Sequence, residues 1–145
     1  MSLVRFVSEM RRLKRYEEFE DENGRLVRYR RLDNGGLVAV GAEVAEDAHI
    51  GAEAWIDPGA RVLSEARVGS RCWIEHGAVV GRRAHLGVAV HVGRNAVVGT
   101  GARVGERSTI GSDATVRAGV DVAPDTRVSD GALVGPSYQD RRLAA

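Results

Sequence analysis

Four histidines carry the side chains in this sequence that are best suited to acid–base chemistry or metal binding: His49, His76, His85 and His91. Imidazole titrates near neutral pH, so a histidine can remove a proton from an attacking hydroxyl or amine, or it can bind a metal ion. His49 and His85 are 36 residues apart, and His91 follows His85 by six. Which of them can act together depends on the elements that carry them.

Those elements follow from a six-residue repeat that runs without interruption from residue 38 to residue 135. Every sixth residue from Val38 to Val134 is Val, Ile or Leu, 17 times in succession. The residue four places later is Ala in eleven of 16 repeats, and the other five are Cys72, Val90, Ser108, Val120 and Thr126. Side chains alternate along a strand, so the small residue and the aliphatic residue that follows it two places later point the same way. The pattern predicts short strands whose small and aliphatic residues face a narrow interior.

Two residues between successive strands form a corner, and the second is Gly, Asn or Asp in ten of 16 repeats. These residue types adopt positive φ at low cost, as a tight corner requires. Three strands close one triangular coil of 18 residues, which predicts an all-β, single-stranded parallel β-helix of about five coils. Residues 18 apart then lie on adjacent strands, about 4.8 Å apart. The predicted outward columns are His49, Arg67, His85, Arg103, Asp121; Trp55, Trp73, His91, Thr109, Arg127; and Glu43, Arg61, Val79, Val97, Thr115, Leu133.

The segments on either side of the repeat differ from it. Residues 1–37 are predicted to be a cap on the first coil, because an open coil exposes strand edges. Residues 8–16 have the pattern of a short helix, and residues 15–32 have that of a β-hairpin around Asn23-Gly24. Residues 136–145 are predicted to be a tail that frays or forms a short helix.

Two outward columns contain exposed apolar residues. Val79 and Val97 are predicted to lie outward on adjacent coils, which indicates a packing surface, unless the N-terminal segment folds over it. Trp55, Trp73 and His91 are predicted to form an aromatic ladder. The ladder suits cross-strand stacking or a subunit contact, and the functional alternative is a platform for a planar ligand.

The repeat resembles the hexapeptide-repeat superfamily of left-handed parallel β-helix proteins, whose unit is an aliphatic, often Gly, two variable residues, a small residue and one variable residue. The resemblance covers residues 38–135. It implies the left hand of the helix, a homotrimer with parallel coil axes, and active sites in clefts between subunits. His85 and a neighbouring subunit's His91 could converge in such a cleft.

The superfamily's acyltransferases use a cleft histidine as general base, which implies His85 in that role with His91 as the second candidate. The implied reaction transfers an acetyl group from acetyl-CoA to a small hydroxyl or amine acceptor. The coils here carry no inserted loop, whereas many such enzymes use one to shape the acceptor site. The alternative is therefore a non-catalytic β-helix that serves as a scaffold or assembly module, and the sequence leaves open whether the chain is an enzyme.

The γ-class carbonic anhydrases also resemble this chain, and they bind zinc with three histidines across a subunit interface. Their spacing of 36 residues is met by His49 and His85. Their third histidine lies five residues later, where this chain has the inward Val90, and His91 is one place too far. We therefore expect no zinc site, and His49, His85 and His91 are the alternative metal-binding set.

Composition excludes other classes of function. The net charge of +1 gives no electrostatic basis for binding nucleic acid. No apolar run approaches the roughly 20 residues that cross a bilayer, and residues 1–15 lack the apolar stretch of a secretory signal. Cys72 is the only cysteine, which rules out an intrachain disulfide and suits a reducing compartment. We expect a cytoplasmic protein with a small-molecule substrate.

Overall fold

The computed structural model describes residues 16–136, and the regular structure in that range is all β-strand. No helix in it is long and apolar enough to cross a membrane. The strands, in chain order, are β1 (Tyr16–Glu20), β2 (Leu26–Arg31), β3 (Leu37–Ala39), β4 (Glu43–Val44), β5 (His49–Ile50), β6 (Trp55–Ile56), β7 (Arg61–Val62), β8 (Arg67–Val68), β9 (Trp73–Ile74), β10 (Val79–Val80), β11 (His85–Leu86), β12 (His91–Val92), β13 (Val97–Val98), β14 (Arg103–Val104), β15 (Thr109–Ile110), β16 (Thr115–Val116), β17 (Asp121–Val122), β18 (Arg127–Val128) and β19 (Leu133–Val134).

From β3 onward, the strands form three parallel sheets, in which each strand pairs with the strand three places earlier and the strand three places later. The Cα register pairs residues that are 18 apart, as in Trp55 with Trp73 and His85 with Arg103. All three predicted outward columns are found in the three sheets. The predicted parallel β-helix of about five triangular coils is therefore confirmed.

The interior is filled by the predicted inward residues. Most of the aliphatic and alanine positions have no exposed surface, from Ala54 to Val116. Ser108, a polar residue in the small slot, is hydrogen-bonded: its Oγ donates to Ala123 O at 2.9 Å and accepts from Thr126 N at 3.1 Å. Cys72 is buried, its Sγ donates to Gly87 O, and burial raises the pKa of the thiol. Cys72 is thus a packing residue, as predicted.

The second corner position adopts positive φ with many different residue types. Of the 16 second corner positions, all except Asp47 have positive φ, and six of them hold Glu, Arg or Ala with φ between 57° and 61°. An L-residue in this region costs about 1–2 kcal/mol. The corner backbone partly offsets that cost, because its N–H bonds to the coil below, as Ala89 N does to Ser70 O at 2.9 Å. The repeat therefore determines the corner conformation, and residue preference contributes less.

The predicted N-terminal hairpin is confirmed. Strands β1 and β2 pair antiparallel, and the turn between them is closed by Asp21, whose carboxylate accepts from Asn23 N and Arg25 N. Strand β2 also pairs antiparallel with β3, so the hairpin extends the sheet that carries Trp55 and covers one strand edge of the first coil. The predicted helix lies in residues 8–15 and the predicted tail in residues 137–145, and both lie outside the described residues; Tyr16 begins β1.

Aromatic packing and one hydrogen bond fix the hairpin on the first coils. The rings of Phe19, Tyr29 and Trp55 pack against one another with centroids 5.0 to 5.6 Å apart. Tyr29 Oη donates to Asp57 Oδ1 at 2.8 Å. Burial, together with this bond to a carboxylate, raises the pKa of the Tyr29 phenol well above its ordinary value. The phenol therefore stays protonated and remains a donor across the physiological range.

A corner substitution tests the backbone constraint. We expect Ala89→Gly to raise the free energy of unfolding by about 0.5–1 kcal/mol. Glycine removes the steric cost of φ 58°, and that cost is larger than the additional backbone entropy that glycine loses on folding. Ala118 occupies the other corner position and does not have positive φ, so Ala118→Gly should lower stability by a similar amount. Urea unfolding of both variants measures the difference. Equal destabilisation by the two changes would contradict the constraint.

A second variant tests the docking of the hairpin. Tyr29→Phe should lower the free energy of unfolding by about 1–3 kcal/mol at neutral pH, because Asp57 loses a buried donor. The folded pKa of Tyr29 lies above the unfolded value of about 10, so the contribution of Tyr29 is complete below that pH and is lost as pH rises above it. Urea unfolding between about pH 8 and pH 11 measures the difference in free energy of unfolding between the unmodified protein and Tyr29→Phe, and this difference should become smaller above pH 10. A difference that becomes larger above pH 10 would contradict this expectation.

Candidate functional site

His91 is held by a carboxylate on the preceding coil. Its Nε2 lies 2.6 Å from Oε2 of Glu75. Both side chains are partly buried: that of His91 is 33% exposed and that of Glu75 is 18% exposed. The imidazole is therefore fixed in orientation and still has a surface that a small molecule can reach.

An indole ring supports the same imidazole. The rings of Trp73 and His91 are stacked, with centroids 4.4 Å apart and planes within 5°. The indole is fixed in turn, because its Nε1 donates to Asp57 Oδ2 at 2.8 Å. Since the other oxygen of Asp57 accepts from Tyr29, a continuous series of contacts joins the hairpin to His91 and Glu75.

The predicted ladder is confirmed for Trp73 and His91, whereas the carboxylates beside it were missed. Asp57 and Glu75 directly follow the inward Ile56 and Ile74, and each accepts from a ring nitrogen 16 residues later in the chain. This spacing is two residues short of one coil. The signal in the sequence was therefore an acidic residue after an inward aliphatic, with Trp or His 16 positions further on.

The pair of His91 and Glu75 has the arrangement of an oriented general base. A carboxylate that accepts from Nε2–H keeps the proton on that nitrogen, so Nδ1 retains its lone pair. Nδ1 can then take a proton from an attacking group, and the negative charge of Glu75 stabilises the imidazolium that forms. His91 is the second of the two histidines that the sequence nominated.

A cavity of about 460 Å³ lies between the hairpin and the coil of Glu75. We call it the hairpin cavity, and its lining residues are Asp21, Glu22, Asn23, Arg25, Leu26, Val27, Tyr29, Asp57, Pro58, Trp73, Glu75, His76 and Arg94. Its volume is within the range of small-molecule sites. His76, one residue after Glu75, is part of this wall.

His85 lies on a different face of the coil. It is exposed on β11, between Arg67 and Arg103 in the register of its sheet. With His49 it lines a second, open cavity of about 620 Å³, whose other lining residues are Asp47, Glu65, Arg67, Arg83 and Ala84. Within one chain, His85 and His91 therefore belong to different faces, as the six-residue spacing predicts.

The three histidines of the alternative metal set do not share a face within one chain. His49 and His85 occupy one column two coils apart, whereas His91 belongs to the sheet of Trp73. Between residues 16 and 136, no group of three or more His, Cys, Asp or Glu side chains is arranged to hold a metal ion.

Several solved structures that are similar to this chain are acetyltransferases. Over 72% of this chain, PerB from Caulobacter crescentus, solved with CoA and GDP-perosamine, superposes with a TM-score of 0.70 and 30% identity. A histidine-to-asparagine variant of perosamine N-acetyltransferase from the same organism matches 69% of this chain with a TM-score of 0.68 and 30% identity. The acetyltransferase domain of PglB from Neisseria gonorrhoeae, at 24% identity and a TM-score of 0.69 over 72% of this chain, shares the fold.

The chain spans about half the length of these structures: 48% of the perosamine N-acetyltransferase variant, and 51% each of PerB and the PglB domain. No protein-family model and no curated protein matches the sequence. The continuous six-residue repeat, the three-sided coil and the likeness to these acetyltransferases agree with one another. The predicted superfamily is thereby confirmed, and the chain is a hexapeptide-repeat β-helix protein.

Proposed function

We propose that this chain is an acetyltransferase that moves an acetyl group from acetyl-CoA to a small amine or hydroxyl acceptor. The observation that carries the proposal is the hydrogen bond of 2.6 Å between His91 and Glu75, together with a cavity of ligand size that Glu75, but not His91, lines. The likeness to PerB, whose structure contains CoA, supports acetyl-CoA as the donor.

The reaction needs one base and one leaving group. His91 Nδ1 removes a proton from the acceptor as its nitrogen or oxygen attacks the thioester carbonyl carbon. The new bond forms, the carbon–sulfur bond breaks, and CoA leaves as a thiolate. The imidazolium then returns its proton to the sulfur, so that protons balance over the cycle. A base of this kind contributes about 10²- to 10⁴-fold to a rate.

The assembly that we propose is a homotrimer with its active sites in the clefts between subunits. Val79 and Val97 lie partly exposed in the middle of the third face, and Leu133 is exposed at its end. This face is a candidate subunit contact, and in the described residues the hairpin extends a different sheet. A trimer of this kind would let His85 of one subunit approach His91 of the next, where it could contact the donor.

Single histidine variants test the assignment of the base. His91→Asn should lower kcat by about 10²- to 10⁴-fold, and Glu75→Gln by a smaller factor, because the imidazole remains but loses its orientation. Release of the CoA thiol, followed with a chromogenic disulfide, measures the rate. The chain adds little background, since its one cysteine is buried. Arg127→Gln, two coils away in the same column, is the matched control and should retain full activity.

His76→Asn and His85→Asn complete the series. Each should reduce the rate less than His91→Asn does, because in the described structure neither imidazole has a hydrogen-bonded carboxylate. If His76→Asn or His85→Asn lowered the rate more than His91→Asn does, His91 would not be the base, although the proposed transferase activity would stand.

The alternative function is a non-catalytic scaffold, which the uninterrupted coils favour. From β3 to β19, no loop projects from the repeat to enclose a substrate. A folded oligomer that fails to bind acetyl-CoA in calorimetry, and that releases no CoA with any amine or hydroxyl acceptor, would establish this alternative.

A further inference from the structure

Two Asn-Gly dipeptides lie in equivalent turns of the N-terminal segment. Asn23-Gly24 lies between β1 and β2, and Asn34-Gly35 lies between β2 and β3. In each turn the glycine has positive φ, 77° and 90°, and its N–H donates at 3.0 Å to the carbonyl oxygen three residues earlier. A second backbone bond of 2.7 to 2.8 Å closes each turn. Both asparagines are exposed, so the same dipeptide occurs twice in matched surroundings.

An asparagine that precedes a glycine can react with its own backbone. The glycine nitrogen, once it has lost its proton to hydroxide, attacks the side-chain carbonyl carbon Cγ of the asparagine. The new carbon–nitrogen bond closes a five-membered succinimide, and the side-chain nitrogen takes up a proton and leaves as ammonia. Water then opens the ring at either carbonyl, which gives aspartate or isoaspartate. Glycine favours the attack because it has no Cβ to obstruct the approach.

Two hydrogen bonds hold the side-chain amide of Asn34. Its Nδ2 donates to Ile50 O at 2.8 Å, and its Oδ1 accepts from Gly36 N at 3.0 Å. These bonds fix the plane of the amide, and the side chain must leave both of them before Cγ can turn toward the nitrogen of Gly35. Since each bond stabilises the fixed orientation, the reactive orientation is rarely populated.

The side-chain amide of Asn23 has no such partners. The N–H that corresponds to that of Gly36 belongs here to Arg25, and it donates to Asp21 Oδ1 at 2.9 Å. The same oxygen of Asp21 also accepts from Asn23 N at 2.9 Å. In the part of the chain that the structure describes, no hydrogen bond holds the Asn23 amide, so its carbonyl carbon can turn toward Gly24 N.

We propose that Asn23 is a site of spontaneous deamidation in the folded protein and that Asn34, in the equivalent turn, is protected. Asp21 causes the difference, because its carboxylate takes the backbone donor that would otherwise hold the Asn23 amide. The product adds a carboxylate to the wall of the hairpin cavity, which Asn23 lines together with Asp21 and Glu22. Isoaspartate would also lengthen the backbone of the turn. This inference does not depend on the proposed transferase function.

Incubation of the folded protein at mildly alkaline pH tests the proposal. Trypsin cleaves after arginine and places the two asparagines in separate peptides, residues 16–25 and residues 32–61. Mass spectrometry follows the exchange of the amide NH₂ for OH in each peptide. We expect the peptide of Asn23 to convert about tenfold faster, a factor that corresponds to about 1.4 kcal/mol of lost hydrogen bonding at Asn34. Conversion of Asn34 at an equal or higher rate would overturn the proposal.

Unfolding the same protein provides the control for sequence effects. In concentrated urea both turns open and Asn34 loses its two hydrogen bonds, so the two peptides should convert at similar rates. If the tenfold difference persisted in urea, the neighbouring residues in the chain would explain it and the structural proposal would fail.

Two variants test the role of Asp21. In folded Asp21→Ala, the N–H of Arg25 becomes available to the Asn23 amide, as that of Gly36 is to Asn34, so conversion of Asn23 should slow down. Glu22→Ala is the matched control, because the Glu22 side chain forms no hydrogen bond in the described residues, and it should leave the rate unchanged. An unchanged or higher rate in Asp21→Ala would overturn the role of Asp21.

Discussion

The structure depends on the narrow interior of the triangular coil. Each strand contributes only two inward side chains, and one of them must be small because three strands meet around one axis. The backbone must then turn within two residues, which imposes positive φ at nearly every corner. Each coil also supplies the hydrogen-bond partners of the next, so neither core nor corner is satisfied in a single coil.

This constraint also builds the candidate site. A register of 18 residues places Asp57 and Glu75 one above the other, and it places Trp73 and His91 one above the other beside them. The rigid coil keeps these groups in place without any loop. The hairpin adds the remaining wall, because β2 pairs with the first strand of the repeat and Tyr29 reaches Asp57.

Much of the fold could be predicted from the sequence, since period and phase are properties of the chain itself. The columns and the inward residues followed from spacing, and the hairpin followed from the turn signal Asn23-Gly24. The positive φ of Glu53, Arg71 and Arg107 could not be predicted, because these residue types disfavour it and the geometry of the repeat overrides that preference. The partners of His91 were also missed, because their spacing of 16 residues depends on how side chains lean between coils.

A crystal structure of the chain with acetyl-CoA tests the central claim most directly, namely that the fixed His91 and the hairpin cavity form one acetyl-transfer site. We expect an acetyl group beside His91, at the edge of the hairpin cavity, with Glu75 still hydrogen-bonded to the imidazole. An acetyl group bound on the face of His49 and His85, away from every His91 in the assembly, would contradict it.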